Sequence, residues 1–275
     1  MTHRFEHLHL DTPVPGVAVL TFDHGKANEM GTAQLRELEA LPAWLEAHGV
    51  VCLITRSTKQ SRKGTPIFVA GANVTERVGW SDDEVKAHVR YQRSTLQLLR
   101  RAPVFHVVLV EGVCLGWGTE YLLVGDYRLA TSAASFALPE TGLGILPGAG
   151  GTGELWAQVG VPQALRLGMT GERIGADEAV RIGLIQELAS SGEAGMERAL
   201  ALAALVARKS PTALAAFKRA VLDSVGGGEA VRTENEASAY ERCVDAGEAA
   251  IGRAHFAQIR KGEVPPWAAR QGGEG

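Results

Sequence analysis

Apolar positions in the first half of the chain alternate between short continuous runs and stretches where they recur every three or four residues. The runs Val17-Ala18-Val19-Leu20-Thr21-Phe22, Val50-Val51-Cys52-Leu53-Ile54-Thr55 and Val104-Phe105-His106-Val107-Val108-Leu109-Val110 predict strands. The near-continuous apolar character of the last two suits strands covered on both faces. Between the first two, Leu35, Leu38, Leu41 and Leu45 recur at helical spacing. Pro42 falls inside that stripe and is expected to kink or split the helix. Ser81 before Asp82-Asp83-Glu84 reads as an N-cap with an acidic first turn, opening a helix that runs to Arg101. Strands separated by helices need crossover connections, which predicts an α/β core.

The pattern changes from Ala194 onward. The segments Met196 to Arg208, Pro211 to Val225 and Glu229 to Lys261 read as helices, with Gly226-Gly227-Gly228 breaking the last two apart. Val264-Pro265-Pro266-Trp267 and the glycine-rich end are expected to be extended or frayed. The chain therefore divides into an α/β core over residues 1–193 and a helical region over 194–275, the latter suited to packing against a neighbouring subunit or to covering its own core.

Composition narrows the function classes. At 275 residues, with 45% apolar and 21% charged positions, the chain can bury a substantial core, which excludes a disordered tail protein or a disulfide mini-scaffold. A net charge of -3 argues against a nucleic-acid binder. Cys52, Cys114 and Cys243 show no metal-ligand spacing and read as reduced core thiols, and no metal is expected. Charges near Met1 and the lack of an apolar run of ~20 residues point to a soluble, cytoplasmic protein without membrane contact.

Two segments suit chemistry. Ile67 to Glu76 reads as a short strand, a small-residue turn and a polar helical start, and Glu111 to Glu120 holds a glycine-rich turn after the most apolar strand. Backbone N–H groups at two such turns can converge into an oxyanion hole. A third segment, Gly148-x-Gly150-x-x-Gly153, matches the dinucleotide fingerprint in letters only. It follows Leu146-Pro147 rather than a strand, and the stretch from Val161 to Glu172 looks helical, so a Rossmann site is rejected.

On these residues the sequence resembles the crotonase superfamily, the enoyl-CoA hydratase/isomerase group. The carriers are Phe68-Val69-Ala70-Gly71-Ala72-Asn73, Gly116-Trp117-Gly118-Thr119-Glu120 and Phe136-Ala137-Leu138-Pro139-Glu140, followed by the run from Gly144 to Thr152. The resemblance implies a spiral of ββα units with a helical C-terminal region, an acyl-CoA thioester substrate, and a homotrimer or dimer of trimers. It implies an oxyanion hole from the backbone N–H groups of Ala72 and Trp117. Trp117 departs from the glycine usual there, and its indole either narrows the acyl pocket or packs in the core.

Glu120 and Glu140 match the paired acid/base carboxylates of the hydratases, with Glu120 activating water and Glu140 donating the proton. Lys26 and Ala27 match the segment where coenzyme A enters, and Arg260 and Lys261 a basic end that reaches its phosphates. Ala70, Asn73, Val74, Gly116, Pro139 and Leu143 are implied to line the substrate. Hydration of a 2-enoyl-CoA, with no cofactor beyond the substrate's own coenzyme A, is the leading expectation. Double-bond isomerisation, other thioester-enolate chemistry and a silent acyl-CoA-binding subunit stand as alternatives.

Overall fold

The apolar runs pair into two sheets, and a repeating unit explains how. A computed structural model describes residues 5–267. In chain order the elements are β1 (His9–Val14), β2 (Val17–Phe22), α1 (Thr32–Ala47), β3 (Cys52–Ser57), β4 (Ile67–Val69), α2 (Asp82–Arg101), β5 (Phe105–Val110), β6 (Val113–Leu115), α3 (Trp117–Leu122), β7 (Tyr127–Thr131) and β8 (Ser135–Ala137). There follow α4 (Gly151–Val159), α5 (Val161–Thr170), β9 (Ile174–Gly175), α6 (Ala176–Arg181), β10 (Glu187–Ala189), α7 (Gly192–Val206), α8 (Pro211–Ser224), α9 (Glu229–Asp245), α10 (Glu248–Ala254) and α11 (Phe256–Arg260).

The larger sheet has the order β1-β2-β3-β5-β7-β10 and the smaller β4-β6-β8-β9. The successive pairs β3–β4, β5–β6 and β7–β8 each give one strand to each sheet, which is the ββα spiral expected. Within the small sheet β4, β6 and β8 are adjacent and parallel, so their C-terminal ends lie side by side. The short second strand of each pair carries too few residues to show a period, and sequence pattern alone missed β6.

Both faces of the large sheet are covered. Ala18, Leu20 and Phe22 of β2 join one core cluster, while Val17 and Val19 join a second with Ile54, Val107, Leu109 and the α7 residues Ala199 and Ala203. Cys52 and Cys114 are buried free thiols, and burial pushes the Cys52 thiol up to about 12. No single helix among the described residues is long and apolar enough to cross a membrane.

The structure refines three expectations. The helix α1 is continuous through Pro42 rather than split. Leu35, Leu38, Leu41 and Leu45 are all fully buried, and their packing outweighs the ~3 kcal/mol that an interior proline costs. The segment Glu229 to Lys261 is three helices, because Gly247 adopts the left-handed conformation (φ 77°) between α9 and α10, and a further break at His255 separates α10 from α11. Val264 to Trp267 has no regular structure but is tied down, with Trp267 Nε1 donating to the Arg208 carbonyl at 3.1 Å. The glycine-rich end beyond it lies outside the described residues. The N-cap at Ser81 is as expected: its hydroxyl accepts from Glu84 N–H, and the Glu84 carboxylate accepts from Ser81 N–H.

Replacing Pro42 by alanine restores a backbone donor in α1 and removes a ring from the preceding turn. Chemical denaturation is expected to show Pro42→Ala more stable than the parent by about 1–3 kcal/mol.

Candidate active site

The parallel alignment of β4, β6 and β8 brings three turns together. The turn after β4 holds Ala70, Gly71 and Ala72; the turn after β6 holds Gly116 and Trp117; the 3-10 turn after β8 holds Pro139 and Glu140. Ala27 and Met30 lie alongside the first: Ala70 N–H donates to the Ala27 carbonyl (3.1 Å), Met30 N–H to Gly71 O (3.0 Å) and Asn73 N–H to Met30 O (2.8 Å). In this parallel bridge Met30 bonds the residues on either side of Ala72, which leaves the Ala72 N–H outside the ladder. Trp117 is the first residue of α3, where an N–H has no intrahelical acceptor.

Gly116 and Gly118 allow the turns to meet. Gly116 has φ 51°, and a Cβ there would lie 2.6 Å from Glu140 Oε1 and 3.9 Å from Gly71 Cα. At Gly118 a Cβ would lie 2.5 Å from the Val69 carbonyl oxygen, so only glycine lets α3 approach β4 this closely. Trp117 itself is unstrained, since Asn28 is the only non-glycine residue with positive φ among those described. Its indole is 2% exposed and stacks at a tilt against Tyr121 (5.5 Å) within the main core cluster. The side chain therefore packs in the core, while its backbone N–H stays at the turn.

Glu120 is on α3 and 5% exposed. Its Oε1 accepts from Ala149 N–H at 2.7 Å and Gly151 N–H at 2.9 Å, at the start of α4. The run that imitates a dinucleotide fingerprint thus uses its backbone donors on a carboxylate of this chain. Burial raises the Glu120 pKa to about 7, with the Glu140 charge adding to the rise; the two N–H donors and Arg93 oppose it. Desolvation outweighs the favourable helix-start position that the sequence suggests. Glu140 is also raised by burial, and its Oε2 is buried with no hydrogen-bond partner.

A buried polar chain anchors α3. The Tyr121 hydroxyl and Thr55 Oγ1 are 2.9 Å apart, and Thr55 Oγ1 is 2.8 Å from His106 Nε2. Complete burial pushes the His106 pKa down to about 3, so the ring is neutral and α3 is pinned to β3 and β5 without a buried charge. Sequence reasoning missed this chain and the Ala149 and Gly151 donors. Each looks like a core or loop residue until the fold places it.

The other expected residues divide. Val74 and Leu143 are exposed at 57% and 69%, and Pro139 is exposed beside Glu140. Asn73 lies at the turn, but its side chain caps the following 3-10 helix, accepting from Thr75 N–H and Thr75 Oγ1. Lys26 is exposed next to Ala27. Arg260 and Lys261 are exposed at the end of α11, whose following Gly262 carbonyl accepts from Arg208, and no hydrogen bond or ion pair joins either to the turns. No cluster of three or more metal-ligating side chains occurs among the described residues.

The family model for enoyl-CoA hydratase/isomerase matches residues 16–267. The chain belongs to this family, within the crotonase superfamily. A Bacillus subtilis protein described as a putative enoyl-CoA hydratase/isomerase is 32% identical over 89% of this chain and 93% of its own length. A probable mitochondrial enoyl-CoA hydratase of Arabidopsis thaliana is 35% identical over 71% of this chain, a match that spans 64% of the plant protein. Among solved structures, an enoyl-CoA hydratase from Bacillus anthracis superposes with a TM-score of 0.86 at 28% identity, covering 98% of this chain and all of that one. The crotonase fold is thereby established, and the turns after β4, β6 and β8 are where this family member gathers its candidate site.

Glu120 gives a pH signature independent of activity. Its folded pKa of about 7 lies above the ordinary glutamate value of 4.5, so the folded state holds the extra proton between those values and its stability falls as pH rises through that window. Gln at this position keeps an oxygen for both N–H donors and does not ionise. Thermal melts are expected to show Glu120→Gln gaining on the parent as pH rises from 4.5 to above 7; a constant difference would place the titration elsewhere.

Proposed function

We propose that the protein hydrates a 2-enoyl-CoA thioester. The observation that carries this is the pair of partly desolvated carboxyls, Glu120 with one oxygen held by two N–H groups and Glu140 with one buried oxygen unpartnered. Hydration needs one group to take a proton from water and another to protonate the α-carbon, and two raised, interacting carboxyls can occupy different protonation states.

In this reading the thioester oxygen accepts from the Ala72 and Trp117 N–H groups, which stabilise the enolate as charge develops. Glu120 takes the proton of the water that attacks C3, and Glu140 delivers a proton to C2. Lys26 beside Ala27 supplies positive charge for the coenzyme A phosphates. Coenzyme A arrives as part of the substrate, and the chemistry draws on no metal or redox group.

The apolar faces left open by one protomer support assembly as a trimer or dimer of trimers. Phe217 on α8, Tyr240 on α9 and Met169 on α5 are each largely exposed. Light scattering at micromolar concentration is expected to give a multiple of 29.2 kDa; a monomer mass would overturn the assembly.

Absorbance of crotonyl-CoA reports loss of conjugation directly. Glu120→Gln and Glu140→Gln are each expected to lower the hydration rate by at least ~10²-fold while leaving coenzyme A binding largely intact. Glu120→Gln is expected to retain slow exchange of the α-proton of a saturated acyl-CoA with D₂O, and Glu140→Gln to lose it. The kcat/KM of the parent should rise with pH through about 7, as Glu120 ionises. Full hydration by both variants, or conversion of a 3-enoyl-CoA to its conjugated 2-enoyl isomer with no addition of water, would overturn the hydratase reading.

A further inference from the structure

Helix α2 lies against the Gly148 loop beside Glu120 of α3, and charged side chains line the cavity between them. Its volume is about 320 Å³, and Glu120 lines it together with Arg93, Gln97 and Arg100 of α2. These three lie four and three residues apart, on one face of the helix. Leu96 and Leu123 give the same cavity an apolar wall. The size falls at the lower end of the ~300–1,000 Å³ usual for small-molecule sites, which suits a short chain.

The two arginines are not equivalent. Arg100 is paired with Glu154, which also lines the cavity, so its charge is matched within the protein. Arg93 is exposed, donates from Nε to the Gly148 carbonyl at 2.8 Å and has no ion pair among the described residues, which leaves both terminal nitrogens facing solvent at the cavity wall. Its charge reaches Glu120, whose pKa it draws down. One cavity thus holds a candidate catalytic carboxyl and an unpaired guanidinium. A purely alkyl tail lying over that guanidinium would strip its water and return no hydrogen bond. A carboxylate would accept two parallel N–H bonds from the planar fork.

We propose that the preferred acyl group carries a second carboxylate a few carbons beyond the reacting double bond, received by Arg93, so that the substrate class is a dicarboxylyl enoyl-CoA. This rests on the reading of Glu120 and Glu140 as the groups that act on the thioester. Arg93 is then a specificity-determining residue. Gln97, from the same helix face, supplies a further amide donor beside the bound carboxylate.

Binding of saturated analogues tests the pocket without turnover. Calorimetry on the full chain compares glutaryl-CoA with valeryl-CoA and adipoyl-CoA with hexanoyl-CoA, at ~0.1 M salt so that diffuse charge is screened. At least one dicarboxylyl ligand is expected to bind ten-fold or more tightly than its monocarboxylyl match. Arg93→Gln should abolish that ratio, and Arg93→Lys, which keeps the charge but loses the fork, should retain part of it. No preference in the parent overturns the proposal. An equal loss for all four ligands in Arg93→Gln also overturns it, and makes Arg93 a residue that merely holds the Gly148 loop. Hydration of crotonyl-CoA reports separately on the reaction: activity without carboxylate preference removes the substrate class alone, whereas preference without activity removes the reaction and leaves the pocket.

Discussion

The parallel pairing of three very short strands, β4, β6 and β8, is the constraint on which the candidate site depends. Each supplies three residues to the ladder and then ends in a turn, so neighbouring pairing places Ala72, Trp117 and Glu140 on one edge. So small a sheet buries little surface of its own. Its register is held from outside, by the long β3, β5 and β7 strands that precede each member and by the α3 packing that Gly118 permits against Val69. The ββα repeat therefore makes a rigid large sheet position a small one, and the small one position the chemistry.

Glu120 shows how such a scaffold sets reactivity. A carboxyl almost wholly out of water is costly to ionise, and two N–H donors recover only part of that cost, which leaves the pKa near 7. The donors come from the start of α4, and Tyr121 of the same helix anchors it to Thr55 on β3 and His106 on β5. Proton affinity at this residue is consequently a property of the assembled fold. The same holds for Trp117, whose side chain contributes to the core while its backbone N–H lies at the start of α3.

Surfaces carry the remaining information. The apolar faces of α5, α8 and α9 stand open in one protomer, whereas the face of α2 above Glu120 is charged. These differ in kind: a broad apolar face gains by excluding water against another such face, and an unpaired guanidinium gains only from a partner of opposite charge. The apolar faces and the charged one thus occupy separate parts of the molecule.

The sequence alone determined whatever depends on a few neighbouring residues. The stripe of Leu35, Leu38, Leu41 and Leu45, the Ser81 cap and the apolar runs of β2, β3 and β5 announced their elements, because period and capping are local. The motifs around Ala72, Trp117 and Glu140 were legible through their order and spacing, which carried the family. Of the three-residue strands β4 was legible, whereas β6 and β8 left too little pattern to read, and Pro42 and Gly247 showed local rules overridden by packing in one case and decisive in the other. Only the tertiary structure decided that Trp117 turns its indole inward, that Glu120 takes its donors from Ala149 and Gly151, and that Arg93 stands unpaired beside it. Parallel pairing, desolvation and cavity shape join residues far apart in the chain, and their energies exist only once the rest of the protein is in place.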